Sequence, residues 1–336
     1  MCYNGGMRRH RLWLLFYCTL LFVPSTAFTQ TILRISLENS ADHVQTRAVQ
    51  RFATELEEQT EGRLRVEVHH SGTLSRDQDV FAALQRGSVD MAVPGTWHIS
   101  RFEPAVAVFL LPHFFGRDGS YVHEHSDGEL GSLLTEKIQQ NLAVEIPGRW
   151  LDLGPGHLYF RDRQVHSHWQ LDDLNIRVAG GPGNELRIAA LGATPLIVPW
   201  NEVPQRLQSG VIDGLLTTHE TVRSGQLWLY GVTHALEDFQ YFPQYVPMIR
   251  QSFWRQISAE DQQIIRSVWE GIVTWQRTEA ARAQWQARQI LTRQGIHIQT
   301  LPRSELQTIR DQLMLQQDEI ARRLGIPPEV LALVRD

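Results

Sequence analysis

Residues 207–214 read LQSGVIDG, and residues 84–91 read LQRGSVDM. Both fit the pattern L-Q-x-G-x-[VI]-D. In physical terms, a helix ends, a glycine caps it, and the next strand begins with an aspartate at a fixed place. Two copies of one helix-to-strand transition predict two related α/β units in this chain.

The hydrophobic pattern around each copy supports this prediction. Apolar residues alternate where strands are expected and recur every three to four residues where helices are expected. The order is strand–helix–strand–helix–strand over residues 33–93, and it returns over residues 174–215. Such alternation is typical of parallel sheets, so we expect two α/β lobes with a ligand cleft between them.

The last third of the chain is predicted to be helical. Residues 259–293 contain no proline and one glycine, and Ser258 with Asp261 forms a capping-box-like start. A helix of this length can brace both lobes. Residues 295–301 are a strand candidate, and residues 305–323 are predicted to form one amphipathic helix that ends before Gly325.

The N-terminus predicts export. Three arginines precede an apolar run at residues 12–23, and small residues follow up to Ala27. This is the pattern of a signal peptide cleaved after Ala27, which places the mature protein in the periplasm. The alternative is an uncleaved anchor, but the run is about 12 residues and a membrane span needs ~20.

The positions of the cysteines and the net charge of the mature chain disfavour several classes of function. Cys2 and Cys18 both lie in the predicted signal peptide, so the mature chain has neither a disulfide nor a thiol nucleophile. Cleavage removes three arginines and changes the formal net charge from −5 to −8, which disfavours nucleic acid as a partner. Serine-hydrolase and phosphate-loop motifs are missing, and the H-x-H pairs at 123–125 and 166–168 lack metal-site context. We therefore expect no cofactor, no metal and no enzyme activity.

A few residues are candidates for ligand binding. Arg177 lies in residues 175–178 (NIRV), where its apolar neighbours point to the opposite face. It is either a solvated strand arginine or a guanidinium that faces the cleft and binds a carboxylate through two hydrogen bonds. His157 lies in a glycine-rich loop and is either a plain loop residue or a donor to an anion. Trp200 and Trp97 each follow a strand and are either core residues or pocket walls.

The chain resembles the DctP-type extracytoplasmic receptors of TRAP (tripartite ATP-independent periplasmic) transporters. The most specific match is the block 171–214, with LDDLNIRV at 171–178, GATP at 192–195, PWNEV at 199–203 and the 207–214 motif. Supporting matches are TEGRLRV at 60–66, SGTL at 71–74 and LQRGSVD at 84–90. The resemblance covers essentially all of the mature chain.

The resemblance implies an α/β, two-lobed periplasmic-binding-protein-like (type II-like) fold with a hinge and a long bracing helix. Lobe I is expected to hold residues 28–154 and about 243–282, and lobe II residues 155–242 and about 283–336. The resemblance also implies a small organic acid held by Arg177, covered by Trp200 and delivered to a membrane-embedded TRAP permease. The predicted ligand-binding set is Arg177, His157, Trp200, Thr217, Trp97, Thr96 and Asn39.

Two departures from the family pattern bear on the ligand. His157 stands where many members have a second ligand arginine, and Thr217 stands where many have a ligand-contacting asparagine. Both reduce charge or polarity in the pocket, so the expected ligand is a monocarboxylate or a more apolar acid. The alternatives are a carboxylate-sensing receptor with a signalling partner and, less favoured, a periplasmic enzyme on a similar fold.

Overall fold

A computed structural model describes residues 1–2 and 30–334. The predicted cleavage site at Ala27 lies outside the described residues. In the part that is described, no helix combines the length and apolar character needed to cross a bilayer.

The strands belong to two main sheets and one short ladder. They are β1 (Thr31–Ser36), β2 (Leu64–His69), β3 (Met91–Ala92), β4 (Val144–Glu145), β5 (Leu151–Asp152), β6 (His157–Arg161), β7 (Asn175–Val178), β8 (Thr194–Ile197), β9 (Gly214–Thr217), β10 (Val232–Glu237), β11 (Gln244–Tyr245), β12 (Met248–Arg250) and β13 (His297–Thr300).

Helices connect the strands and cover the sheets. They are α1 (Val44–Gln59), α2 (Val80–Arg86), α3 (Thr96–Ile99), α4 (Gly119–Ser126), α5 (Glu129–Leu142), α6 (Pro182–Ala190), α7 (Val203–Gln208), α8 (His219–Ser224), α9 (Gln251–Trp254), α10 (Ala259–Arg293), α11 (Arg303–Met314), α12 (Gln317–Leu324) and α13 (Pro328–Ala332). Short 3-10 turns span Pro104–Leu110, Pro112–Phe114, His168–Gln170, Trp200–Glu202 and Leu227–Tyr230.

Each main sheet defines one lobe. Lobe I is built on the order β2-β1-β3-β12-β4, and lobe II on β13-β10-β6-β9-β7-β8. The predicted parallel pairs are present, because β1 runs parallel to β2 and β3, and β7 runs parallel to β8 and β9. The sheets are not parallel throughout, since β12 and β6 join them antiparallel.

The antiparallel strands arise because the chain crosses between the lobes more than once. It leaves lobe I after β4, forms β6 of lobe II, and returns after β10 to form β12 of lobe I. Along these crossings, β5 pairs with β11 in an antiparallel ladder. The two crossing segments thus lie side by side and form the hinge region.

The predicted long helix is confirmed at both ends. α10 spans 35 residues, and the Ser258 hydroxyl accepts a hydrogen bond from the Asp261 amide at its start. It packs against α1 of lobe I, against α8 of lobe II and against β5. Trp269 and Ile265 of α10 belong to a core that includes side chains of both sheets, such as Leu33 and Ile176.

The predicted helix over 305–323 is two helices, which is a correction. The chain turns at Leu315, an 87% exposed residue, between α11 and α12. The buried Gln317 side chain accepts a hydrogen bond from the His113 amide at 2.8 Å, which directs α12 onto lobe I. There Ile320 and Leu324 pack with the core of lobe I. The predicted lobe boundaries stay a prediction.

Two shorter helices begin in different ways. The N-cap of α1 is His43, whose Nδ1 accepts from the Gln45 amide. Before α7 the chain makes a 3-10 turn, and Glu202 occupies the N-cap position.

Candidate ligand-binding site

A cleft lies between the two lobes, where strands of both sheets end. It encloses about 700 Å³ of empty space, part of it open to solvent. From lobe I it is lined by Glu38, Asn39, Asp77, Trp97 and His98. From lobe II it is lined by Arg177, Trp200, Leu216, Thr217 and Thr221, and from the hinge region by Tyr241 and Tyr245.

Arg177 is the cation at the centre of this cleft. It lies on β7, where the buried Ile176 and Val178 leave it on the opposite face, as the alternation predicts. Its side chain is 96% buried, because only 4% of the residue is exposed. Its Nε donates to the Val198 carbonyl at 2.9 Å.

The rest of the Arg177 guanidinium has no protein partner. Among residues 30–334, no carboxylate lies within 4.0 Å of it and no second hydrogen bond uses its terminal nitrogens. Burial lowers the pKa of Arg177 to about 10, which still leaves it charged at neutral pH. The cleft therefore holds a buried positive charge without an ion pair, and the more distant Glu38 offsets its burial only in part.

The predicted aromatic residues line the cleft as walls. The Arg177 Cζ lies 5.7 Å from the centroid of the Trp200 ring, within the range of a cation–π contact. Trp97 packs edge-on against Tyr245 with ring centroids 5.6 Å apart. Both tryptophans line the cleft, but only Trp200 is half-buried; Trp97 is 6% exposed and also belongs to the main hydrophobic core.

The structure brings together five of the seven predicted site residues, and two lie elsewhere. The five at the cleft are Arg177, Trp200, Thr217, Trp97 and Asn39. His157 is on β6 rather than in a loop, is 1% exposed, and does not line the cleft. Its Nδ1 accepts from the Phe239 amide at 3.2 Å, and the Phe239 ring packs against it, so the hinge segment covers it. Thr96 is the buried first residue of α3 and also lies off the cleft surface.

Sequence reasoning missed a polar cluster on the lobe I side. The Glu38 carboxylate accepts a hydrogen bond from the Asp77 amide at 2.5 Å, and the His98 Nε2 lies 4.0 Å from the Asp77 Oδ2. Burial and the neighbouring Glu38 raise the pKa of Asp77 well above its ordinary value. One signal was available, because Glu38 and Asn39 directly follow a parallel strand, where ligands of open α/β sheets bind.

A second buried polar cluster lies behind the cleft. Ligand atoms of His157, His219 and Glu237 lie within 4.8 Å of one another, a spacing that suits a metal ion. Both ring nitrogens of His219 are already bonded, to the Tyr159 hydroxyl at 2.6 Å and to the Glu237 carboxylate at 2.7 Å. Arg288 also pairs with Glu237 at 2.6 Å. Protein hydrogen bonds and the ion pair with Arg288 therefore already connect the members of this group.

Residues 35–323 match the family "Bacterial extracellular solute-binding protein, family 7", also called DctP. This chain belongs to that family. Family 7 comprises solute-binding proteins.

Individual relatives agree with the family assignment. The C4-dicarboxylate-binding protein DctB of Bacillus subtilis is 25% identical over 261 residues, which is 77% of this chain and 73% of DctB. The 2,3-diketo-L-gulonate-binding periplasmic protein YiaO of Escherichia coli is 24% identical over 270 residues, or 80% of this chain and 81% of YiaO.

A solved structure shows the same fold. It is a TRAP periplasmic solute-binding protein of Chromohalobacter salexigens with bound D-glucuronate. The TM-score is 0.81 at 22% identity, with 90% of this chain and 97% of that one covered. The expected two-lobed α/β fold of the family is thereby confirmed.

Proposed function

We propose that this protein is the periplasmic receptor of a TRAP transporter, which binds a small organic acid in the cleft through Arg177 and delivers it to the membrane permease. One observation carries the proposal. The Arg177 guanidinium is buried in the cleft, is bonded to the protein only through Nε, and faces open space with its remaining donors.

A carboxylate is the group that best completes this site. The guanidinium presents parallel N–H donors that match the two oxygens of a carboxylate. When the lobes close around the ligand, water leaves and the charge pair strengthens in the less polar cleft. The ligands of the relatives described above, C4-dicarboxylate, 2,3-diketo-L-gulonate and D-glucuronate, all carry a carboxylate and support this assignment.

The cleft residues favour binding over catalysis. A nucleophile would need an adjacent general base, and the histidine that lines the cleft, His98, has its pKa lowered to about 3 by burial and by Arg177. A neutral imidazole of such low basicity is a poor proton acceptor. We therefore propose that the protein binds its ligand without changing it, and recovery of the unaltered compound after incubation tests this.

The ligand class can be tested by thermal unfolding of the mature protein against a panel of organic acids. A ligand at 100 times its Kd stabilises the native state by about 2.7 kcal/mol. We expect a shift with one class of acids that disappears in Arg177→Ala. Arg206→Ala is the matched control, because Arg206 is an exposed arginine of the same lobe that pairs with Glu202. Acid-dependent shifts that survive in Arg177→Ala would show that the carboxylate binds elsewhere.

Delivery to the permease needs a separate experiment. Reconstituted permease subunits should take up the labelled acid under an ion gradient when the receptor is added, and Arg177→Ala should reduce that uptake. A receptor that binds the acid normally but supports no uptake would favour the sensing alternative over transport.

A further inference from the structure

The lobe I side of the cleft carries two carboxylates that form no ion pair with an arginine or lysine of the described residues, although Arg76 also lines the cleft. Glu38 and Asp77 both line the cleft and are joined by the hydrogen bond from the Asp77 amide to Glu38. Asp77 is 6% exposed. Among residues 30–334, no arginine or lysine lies within 4.0 Å of either carboxylate. The sequence neighbour Arg76 pairs instead with Asp79, at 2.8 Å.

The nearby histidine does not supply the missing charge. His98 lies next to Asp77, but burial and the charge of Arg177 keep its imidazole neutral at physiological pH. Its buried Nδ1 has no hydrogen-bond partner in the described part of the chain, and neither does the buried Nε1 of Trp97. Both ring nitrogens belong to residues that line the cleft, and neither is used by the protein.

Charge separation across the cleft is the result. Arg177 on lobe II forms no ion pair within 4.0 Å among residues 30–334, and Glu38 and Asp77 on lobe I have no arginine or lysine partner there. Burial lowers the pKa of Arg177, and the charge of Glu38 across the cleft offsets only part of this effect. A simple organic anion satisfies Arg177 but leaves Glu38 and Asp77 together in a closing cavity without a cationic partner. Asp77 is then buried with its proton retained, as the raised pKa of its carboxyl indicates, whereas a cationic nitrogen would compensate both carboxylates in their charged form.

The rings beside the acidic group suit a cationic nitrogen. Trp97 and Tyr245 pack edge to face next to Asp77, and the Tyr245 hydroxyl accepts a hydrogen bond from the Asn39 amide at 2.8 Å. Aromatic faces attract ammonium and amidinium groups, and carboxylates accept their N–H donors. Hydroxyl groups would also donate to the carboxylates, but they would leave the negative charge uncompensated.

We propose that the ligand is a zwitterion whose carboxylate pairs with Arg177 and whose protonated amine or amidine lies between Glu38, Asp77 and the rings of Trp97 and Tyr245. This inference rests on the proposed function and specifies its ligand class. It replaces the expectation of a more apolar acid, since the missing second arginine is matched by acidic residues on the opposite lobe.

The test compares acids that differ only at the far end. The probes are β-alanine, 4-aminobutyrate, 5-aminopentanoate and 6-aminohexanoate, each with the matching ω-hydroxy acid and unsubstituted alkanoate, plus D-glucuronate as a polyhydroxy acid. Calorimetry on the mature wild type should show the best amino acid of the series binding about tenfold or more tightly than its matched analogues. The same preference should fall to about threefold or less in Asp77→Asn and in Glu38→Gln.

Glu55→Gln is the control variant. Glu55 is also an acid of lobe I, but it lies on α1 away from the cleft and pairs with Arg51, so the preference should be retained. Glu38→Gln keeps the test valid if Asp77→Asn fails to fold.

A second experiment does not assume a carbon skeleton for the ligand. The protein is incubated with a bacterial metabolite extract, and the retained compound is identified by mass spectrometry. A retained carboxylic acid with a basic nitrogen, absent from Arg177→Ala, supports the proposal.

The experiments distinguish a failure of the zwitterion proposal from a failure of the proposed function. One outcome overturns the zwitterion proposal and leaves the carboxylate receptor intact. In that outcome, an acid without a basic nitrogen binds as tightly as any amino acid and depends on Arg177. Such an acid could be D-glucuronate, a hydroxy acid or a compound from the extract. Loss of all Arg177-dependent binding, in the panel and in the extract, overturns both.

Discussion

Lobe II contains two buried arginines that look alike by burial and charge but differ in their partners. Arg177 is 4% exposed and Arg187 is 5% exposed, and burial lowers the pKa of each to about 10. Each also faces an aromatic ring, Trp200 at 5.7 Å for Arg177 and Tyr241 at 5.6 Å for Arg187. On these measures the two side chains cannot be told apart.

Their hydrogen bonds separate them. The terminal nitrogens of Arg187 donate to the carbonyls of Gln240 and Leu110, which ties α6 of lobe II to the hinge segment and to lobe I. The terminal nitrogens of Arg177 have no such carbonyls and face the cleft. A buried arginine whose donors are used by the protein supports the fold, and one whose donors are unused is available to a ligand. The following predictions test that distinction.

The largest effect is expected for Arg187→Met. The substitution leaves the carbonyls of Gln240 and Leu110 buried without donors, and charged hydrogen bonds contribute about 1.5–3 kcal/mol each. We expect the unliganded protein to lose about 3 kcal/mol or more of unfolding free energy, measured by chemical denaturation. Whatever protein folds should bind the acid with unchanged affinity. A loss of affinity without a loss of stability would place Arg187 in ligand binding and remove the distinction.

Arg177→Met should produce the opposite pattern. It removes an unpaired buried charge and costs only the bond to the Val198 carbonyl, so the unliganded stability should stay constant or rise. Ligand affinity should fall at least about tenfold, because a bidentate charged pair is lost. Calorimetry and denaturation on the same samples measure both quantities. A marked loss of stability would show that Arg177 is structural like Arg187.

Asp77→Asn extends the comparison to an unpaired anion and gives a pH dependence. Because burial and Glu38 raise the pKa of Asp77, the folded state holds its proton more tightly than the unfolded state does. Asp77 therefore lowers stability progressively as pH rises above its ordinary pKa of about 4. Unliganded Asp77→Asn should melt at a higher temperature than wild type at about pH 7 to 8, by the equivalent of roughly 1–3 kcal/mol.

The advantage of Asp77→Asn should shrink as the pH is lowered toward about 4, where the wild-type carboxyl becomes protonated in both states. His98 stays neutral over this range, so it does not reverse the sign. Melting temperatures of both proteins at several pH values provide the measurement. A pH-independent difference would mean that Asp77 is compensated in the native state.

Local pattern was enough to predict much of the fold. The long helix α10 was predicted with its capping residue Ser258, because its periodicity and its cap are both local features of the sequence. The antiparallel strands β6 and β12 were not anticipated, since their partners lie in a different part of the chain and no local pattern records that pairing. The break at Leu315 depends on the distant bond between Gln317 and His113.

The site was predictable only in part, for the same reason. The alternation of apolar residues along β7 was enough to predict that the Arg177 side chain points away from the core. The burial of Asp77 and its approach to Glu38 depend on how two loops of lobe I meet, which spacing along the chain does not reveal. His157 was misplaced because Phe239, 82 residues away, covers it. In the sequence, Arg187 resembles any surface arginine of a helix. Only the structure shows that the hinge segment packs over it.

The smallest expected effect concerns the ring over Arg177. Trp200 is half-buried at the start of a 3-10 turn, and its ring faces the guanidinium. Trp200→Leu keeps an apolar wall but removes the π face, and a cation–π contact contributes about 0.5–1 kcal/mol at a partly exposed site. Affinity for the acid should therefore fall about two- to fivefold, whereas Trp200→Phe, which keeps a ring, should fall less. In the Arg177→Met background the same substitution should have no such effect, because the cation is gone. A full loss of affinity in Trp200→Leu would instead mean that the Trp200 ring closes the cleft over the ligand. The ring would then contribute to affinity through its contact area with the ligand and not through its contact with Arg177.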